Sequence, residues 1–332
     1  MYTLTNRLHG KQRAPLRPLG LAWVRLAGLA TLLSLSWVHA ATGNVGQAAK
    51  NANPIAVNTH VNTVKVTLRI AVAANFSNTL RQLRHAFVEQ NRLATLELKL
   101  ISGATGALYN QIVNGAPFDI FFAADSQTPA LLAKQTIGDA STLLNYASGH
   151  MVLLTKQALA SKYGPGCDRQ AAKPLNQVAL RDILQASQRI VIANPKIAPY
   201  GAASLDVLYA LQGNATGPLT NKQVVGRNVM HAQQLFVHSD ADAALMSLAQ
   251  LRHMHRVEPQ SASQYGHCSV NASLHRELAQ AAIQIVPHRA RARGFLQSER
   301  KSAAQQFMDF VQSPTGAAII RSNGYSLPRS TK

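Results

Sequence analysis

The chain is poor in acidic residues. Its 332 residues contain 14 Asp and Glu against 33 Lys and Arg, which gives a formal net charge of +19. Such an excess can indicate binding to nucleic acid or to an anionic membrane surface. The cations are scattered along the chain, however, and the one dense basic patch, residues 288–293, has no aromatic platform or recognition motif beside it. We interpret most of the charge as solvated surface and expect no nucleic-acid partner.

Signatures of catalysis and of resident metals are also missing. The sequence has no Gly-x-Ser-x-Gly elbow, and its glycine-rich turns lack the Lys-Ser/Thr of a nucleotide-binding P-loop. His253 and His255 invite a metal interpretation, but we predict a surface loop there. His231 and His238, seven residues apart on one predicted helix, are expected to pack or to face solvent. No enzyme activity and no cofactor are expected.

Long apolar runs are scarce as well. A basic segment ends at Arg25, and the apolar run 26–38 that follows is too short to span a membrane as a mature helix. Small residues follow it, as at a secretory cleavage site. We therefore predict a signal peptide over residues 1–40, a disordered leader over 41–64 and a periplasmic location. An uncleaved anchor is the alternative.

Only two cysteines are present, Cys167 and Cys268. Export would bring them into an oxidising compartment, where disulfides persist. Both lie in polar segments that resemble turns. We predict a disulfide between them, and two free surface thiols are the alternative.

The stretch from Leu96 to Asp125 organises the rest of the chain. Leu96, Leu98 and Leu100 alternate as in a strand, and the small residues of 102–106 then form a turn before a predicted helix. Thr105 is expected to be the N-cap of this helix. Free N–H groups and the positive end of the helix dipole make such a corner a candidate anion site.

Three further corners have the same character. The strand 64–73 ends at Asn75, a proline-rich loop over 194–201 follows a strand, and 226–229 opens another helix. Ligands in open α/β sheets bind beyond the carboxyl ends of the strands. Corners on neighbouring parallel strands would therefore face one crevice.

The motifs at these corners resemble those of the periplasmic molybdate-binding proteins of ABC transporters. The matching segments occur in the family's order over nearly the whole predicted mature chain: Ala71-Val72-Ala73-Ala74-Asn75-Phe76, Gly103-Ala104-Thr105-Gly106, Gly115 to Asp125, Asn194-Pro195, Ala198-Pro199-Tyr200-Gly201, Gly226-Arg227-Asn228-Val229, Ser313-Pro314-Thr315-Gly316 and Gly324-Tyr325.

The resemblance implies an α/β chain with a two-lobed, type II periplasmic-binding-protein fold. Two βα sandwiches would flank a central cleft, with two chain crossings between them. The first lobe is expected over residues 65–146 and 283–328, and the second over residues 147–282. The implied function is to capture molybdate or tungstate and deliver it to an inner-membrane permease with its ATPase. The protein is expected to be a monomer.

The resemblance also implies the site residues. Molybdate would be held by neutral hydroxyl and backbone N–H donors from Asn75, Thr105, Tyr200 and Val229, and molybdenum would be bound only as this oxyanion. Ser247 stands where some members have a ligating tyrosine, and its side chain is short for that task. The alternatives left open are a receptor for another oxyanion, such as sulfate, and a basic envelope- or nucleic-acid-binding protein.

Overall fold

A computed structural model describes residues 65–91, 95–156, 174–212, 219–287 and 295–328. The predicted signal peptide and leader, Cys167 and the basic patch 288–293 lie outside these ranges. None of the helices within them is both long enough and apolar enough to cross a membrane.

The strands of the described ranges form two five-stranded sheets. Their bounds are β1 Val66–Ala73, β2 Leu96–Gly103, β3 Ile120–Phe122, β4 Leu144–Ser148, β5 Met151–Lys156, β6 Ile190–Ala193, β7 Gln223–Gly226, β8 Ala243–Ser247, β9 Tyr265–Ser269 and β10 Ala279–Gln284. The first sheet has the order β2-β1-β3-β10-β4, and the second has the order β7-β6-β8-β5-β9. In each sheet three parallel strands are followed by an antiparallel one, β10 in the first and β5 in the second.

Helices connect and cover these strands. Their bounds are α1 Ser77–Asn91, α2 Thr105–Val113, α3 Gln127–Lys134, α4 Gln177–Ala186, α5 Pro199–Gln212, α6 Val229–His238, α7 Leu248–Val257, α8 Pro259–Ala262, α9 Phe295–Gln312 and α10 Pro314–Ser322. The helices α1, α2, α5 and α6 each follow a parallel strand directly, so each of these strands ends at the N-terminus of a helix.

The first sheet is covered on both faces. Phe122 packs on one face with Phe76 and Phe307, whereas Phe121, its neighbour in β3, packs on the other face with Leu108. Successive residues of a strand point to opposite faces, so a strand buried on both must be apolar throughout. Burying each phenylalanine stabilises the fold by about 1.5–3 kcal/mol. All three residues of β3 are accordingly apolar and fully buried.

The chain crosses between the two sheets twice. It leaves the first sheet after β4 and returns to it with β10. The boundaries expected at 146/147 and 282/283 fall inside these two strands, each of which belongs wholly to the first sheet. We therefore propose boundaries between the lobes near residues 149–150 and within 270–278.

Two local predictions are wrong. His253 and His255 lie on α7 and not in a surface loop, because Leu251 and Met254 give that segment a buried face. Cys268 lies within β9 and not in a turn, and its side chain is fully buried. In both segments, polar and basic residues alternate with the few buried ones, so the buried face is not recognisable from the sequence.

Candidate functional site

Asn75 lies in the turn between β1 and α1, and its side chain is buried. Its Nδ2 donates to Gln280 Oε1 at 2.9 Å and to Tyr325 Oη at 3.2 Å, while Tyr325 Oη donates to the Asn75 carbonyl oxygen at 2.7 Å. Both hydrogens of the side-chain amide are thereby engaged. A donor from Asn75 to an anion would have to be its backbone N–H.

Thr105 is the first residue of α2, and the prediction from the sequence that it is the N-cap is wrong. The N-cap is Ala104, which has no side-chain capping bond. The Thr105 hydroxyl oxygen instead accepts a hydrogen bond, at 3.0 Å, from the N–H of Ala124, two residues beyond the end of β3. The hydroxyl hydrogen therefore stays free of that bond and can donate to a ligand.

Tyr200 is the second residue of α5, and only 1% of it is exposed. Gln280 Nε2 donates a long hydrogen bond to its hydroxyl oxygen, at 3.5 Å. Burial raises the pKa of the Tyr200 hydroxyl, and the bond from Gln280 acts in the opposite direction. Because the pKa is raised, the hydroxyl keeps its proton at neutral pH and remains a donor.

Val229 is the first residue of α6. The N-cap Asn228 accepts the N–H of His231 with its side chain, at 2.9 Å, and the N–H of Ala232 with its carbonyl oxygen. The N–H groups of Val229 and Met230 have no acceptor within the helix, as is general for a first turn. They point along the helix dipole towards any anion placed at this end.

These four corners converge. The register pairs Ala73 with Gly103 in the first sheet and Ala193 with Gly226 in the second. In each sheet, two neighbouring parallel strands therefore end side by side. The small residues Ala73, Ala104 and Ala124 belong to the same apolar cluster as Tyr200 and Val229.

Two polar contacts join the corners of the two sheets directly. The Gly106 N–H donates to the carbonyl oxygen of Ile197 at 2.8 Å, and the Ser102 hydroxyl donates to Met230 Sδ at 3.9 Å. One of the N–H groups expected to be free at the α2 corner is therefore occupied by the second lobe.

Ser247 lies at the end of β8 and is fully buried. It is the N-cap of α7, and its hydroxyl oxygen accepts the N–H of Gln250 at 3.2 Å. This structural role accounts for a serine at that position without any ligand.

Three further residues of the site were not assigned to it from the sequence, although Tyr325 belongs to one of the family motifs. All three, Gln280, Tyr146 and Tyr325, are buried. Gln280 and Tyr325 both bond the Asn75 side chain. Tyr146 Oη lies 2.9 Å from Gln280 Oε1 and 2.8 Å from the carbonyl oxygen of Ala123. Burial raises the pKa of both tyrosines. A glutamine inside the otherwise apolar start of β10 is the one signal that could have drawn attention to Gln280.

The side chains at the convergence are uncharged. A cavity of about 350 Å³ opens beside Gly106 and Ile197, and its wall carries four charged residues, Asp125, Lys196, Arg276 and Glu277. Asp125 is held by the N–H and hydroxyl of Thr128. Charge thus stands at the edge of the site, while hydroxyls and helix N-termini form its centre. Within the described ranges, no group of three or more His, Cys, Asp and Glu residues could hold a metal ion.

Cys268 forms a disulfide bond in the structure. Cys167, the other cysteine of the sequence, lies outside the described residues, so the predicted pairing is treated below as a prediction.

Comparison with known proteins identifies the family of this chain. Residues 68–326 match the family model of the bacterial extracellular solute-binding proteins. The molybdate-binding protein ModA of Azotobacter vinelandii is 29% identical over 262 residues, covering 78% of this chain and 90% of the relative. ModA of Rhodobacter capsulatus is 25% identical over 255 residues, covering 77% and 86%.

Solved structures show the same fold. The periplasmic molybdate-binding protein of Azotobacter vinelandii superposes with a TM-score of 0.60 at 29% identity, covering 79% of this chain and all of the other. The sulfate-binding protein SubI of Mycobacterium tuberculosis superposes with a TM-score of 0.59 at 13% identity, covering 80% and 88%, and shows the fold alone.

The resemblance and the two-lobed α/β fold expected from the motifs are thus confirmed. The relatives are binding proteins rather than enzymes, and the family is extracellular. This chain belongs to the bacterial extracellular solute-binding proteins.

Proposed function

We propose that the protein captures molybdate, or tungstate, in the periplasm and delivers it to an inner-membrane ABC permease. The observation that carries the proposal is the convergence of four helix N-termini, two from each sheet, on a centre without charged side chains. A dianion can be stabilised by such N–H groups and hydroxyls without counter-ions. The molybdate-binding relatives agree with this choice of anion.

The proposed ligands are the backbone N–H of Asn75, the hydroxyls of Thr105 and Tyr200, and the N–H of Val229. Ser247 is not included, because its capping bond to Gln250 explains its presence. Fixed donors set the size of the cavity, so molybdate and the smaller sulfate would be distinguished by the spacing of their oxygens.

Calorimetry and thermal shift of the purified protein test the proposal. We expect molybdate and tungstate to bind tightly and to raise Tm, since a ligand that binds only the folded state stabilises it. Sulfate should bind far more weakly. Tighter binding of sulfate would assign the site to another oxyanion. Salt-sensitive retention on an anionic polymer, with no shift from any oxyanion, would favour the envelope- or nucleic-acid-binding alternative.

A further inference from the structure

Gln280 lies between the two halves of the proposed site. It is fully buried in β10, the strand by which the chain returns to the first sheet. Its Oε1 is 2.9 Å from both Asn75 Nδ2 and Tyr146 Oη, and its Nε2 faces Tyr200 Oη at 3.5 Å. One side chain therefore links a residue of the first lobe to a ligand residue of the second.

The backbone makes room for this arrangement at Gly149, where the chain crosses between the sheets. A Cβ atom there would lie 2.0 Å from Tyr200 Oη and 2.7 Å from Gln280 Nε2. The Gly149 N–H donates to the carbonyl oxygen of Leu278 at 2.9 Å, and this bond holds the backbone close to Tyr200. Only glycine accommodates the tyrosine hydroxyl at this place.

The hydrogen bonds of Gln280 favour one direction for the Tyr200 proton. Gln280 Oε1 accepts a hydrogen bond from Asn75 Nδ2, which orients the Gln280 Nε2 towards Tyr200. A donor at that position occupies a lone pair of the Tyr200 oxygen. The single hydroxyl hydrogen is then directed away from Gln280, where it can donate to an anion.

We propose that Gln280 is a positioning residue for the oxyanion site, and that Gly149 provides the space it requires. Gln280 orients the Tyr200 O–H as a donor towards the ligand without touching the ligand itself. This role rests on the proposed function and identifies two residues of the site that no ligand motif contains.

A purely structural role for Gln280 makes a different prediction. A buried amide that only satisfies its neighbours would affect stability, and its effect on binding would be independent of the Tyr200 hydroxyl. Gln284 supplies the matched control, because it lies on the same strand, is buried, and bonds Gln305 instead of the site, at 2.8 Å.

The test is the molybdate Kd, measured by calorimetry, of the wild type, Gln280→Met, Tyr200→Phe, the double variant and Gln284→Met. We expect Gln280→Met to weaken binding about ten-fold and Tyr200→Phe about ten- to a hundred-fold. The double variant should bind like Tyr200→Phe, because Gln280 acts through that hydroxyl. Gln284→Met should lower Tm without ligand and leave Kd unchanged.

Gly149→Ala provides a second variant should Gln280→Met fail to fold. It keeps the amide but displaces the hydroxyl, and a loss of about ten-fold is again expected. An unchanged Kd in a folded Gln280→Met or Gly149→Ala variant, or additive losses in the double variant, would overturn the positioning role alone. A wild type that binds no molybdate would overturn the proposed function and this role together.

Discussion

In the proposed site, the hydroxyl of Thr105 would serve both the fold and the ligand. Its oxygen accepts the buried N–H of Ala124, which leaves its hydrogen available to an anion. From the sequence, Thr105 is predicted to be both a ligand and the N-cap of α2, and the second prediction is wrong. A threonine and a nearby helix are visible in sequence, whereas a hydrogen-bond partner 19 residues away, just beyond β3, is not.

Replacement of Thr105 should therefore affect binding and stability. Thr105→Ala is expected to weaken molybdate binding by about 1.5–3 kcal/mol, since it removes a donor to a charged acceptor. It also leaves the Ala124 N–H without its partner, so Tm without ligand should fall. Thr105→Ser keeps the hydroxyl and is the control. Calorimetry that finds no loss for Thr105→Ala would mean that the anion lies elsewhere.

His150 gives the fold a dependence on pH. The pKa of its partly exposed side chain is lowered from 6.5, first by burial and then by the nearby Arg252 and His275. The unfolded chain therefore binds a proton that the folded chain resists, and stability rises with pH through this window. We expect Tm to fall as the pH is lowered below about 6.5.

His150→Gln should flatten this dependence. The remaining slope would come in part from His253, whose pKa is also lowered by burial. Thermal unfolding followed between pH 5 and pH 8 checks the prediction. A wild-type slope that survives unchanged in His150→Gln would assign the dependence to other groups.

At the scale of elements, the N-terminus of α6 offers the sharpest test of a backbone ligand. Val229→Ala keeps the N–H and should change the molybdate Kd little. Val229→Pro removes the N–H at the first helical position, where proline is tolerated. The preceding Asn228 is already extended, with φ −152° and ψ −179°, as a residue before proline must be.

We therefore expect Val229→Pro to fold and to bind molybdate at least ten-fold more weakly, the loss of one charge-assisted hydrogen bond. Circular dichroism and Tm without ligand control for damage to the helix. Equal losses in Val229→Ala and Val229→Pro would show that the side chain, and not the N–H, matters.

Strand β9, at one edge of the second sheet, carries the buried Cys268, which forms a disulfide bond. We predict Cys167 as its partner, which would close a loop of about a hundred residues. The chain-entropy model then assigns the bond a stabilisation of about 4–5 kcal/mol, an upper figure because strain reduces it. Counting thiols in the unreduced, denatured protein should give none, and two would refute the pairing.

At the scale of the whole molecule, Gly106 governs how closely the lobes approach. Its N–H bonds Ile197 across the cleft, and a Cβ there would lie 3.2 Å from the Ile197 Cα and carbonyl oxygen. Gly106→Ala should hinder closure and weaken molybdate binding. It should not lower Tm without ligand, because alanine favours a helix more than glycine does.

X-ray scattering with and without molybdate measures this effect. The wild type should become more compact on binding, since donors from both lobes favour the closed form. The compaction should be smaller in Gly106→Ala at equal ligand saturation. A normal Kd and normal compaction in this variant would mean that the lobes do not need the contact.

The sequence by itself determined the class of fold and the order of the main elements. Apolar segments such as β3 and the second half of β1 are buried on both faces, and such segments are recognisable without knowledge of their neighbours. The short strands β4, β7 and β9 and the helix α7 escaped prediction. Their polar residues face solvent or the site, and only packing against longer neighbours makes them regular.

The four corners were also visible in sequence, because small residues, caps and prolines before a helix are local signals. What only the tertiary structure decided is how their polar groups are shared. Gln280, Tyr146 and Tyr325 are distant in sequence from Asn75 and Tyr200, and no local pattern specifies a hydrogen bond between them. Burial is the physical reason they meet, since a polar group removed from water must find a partner wherever the fold places one.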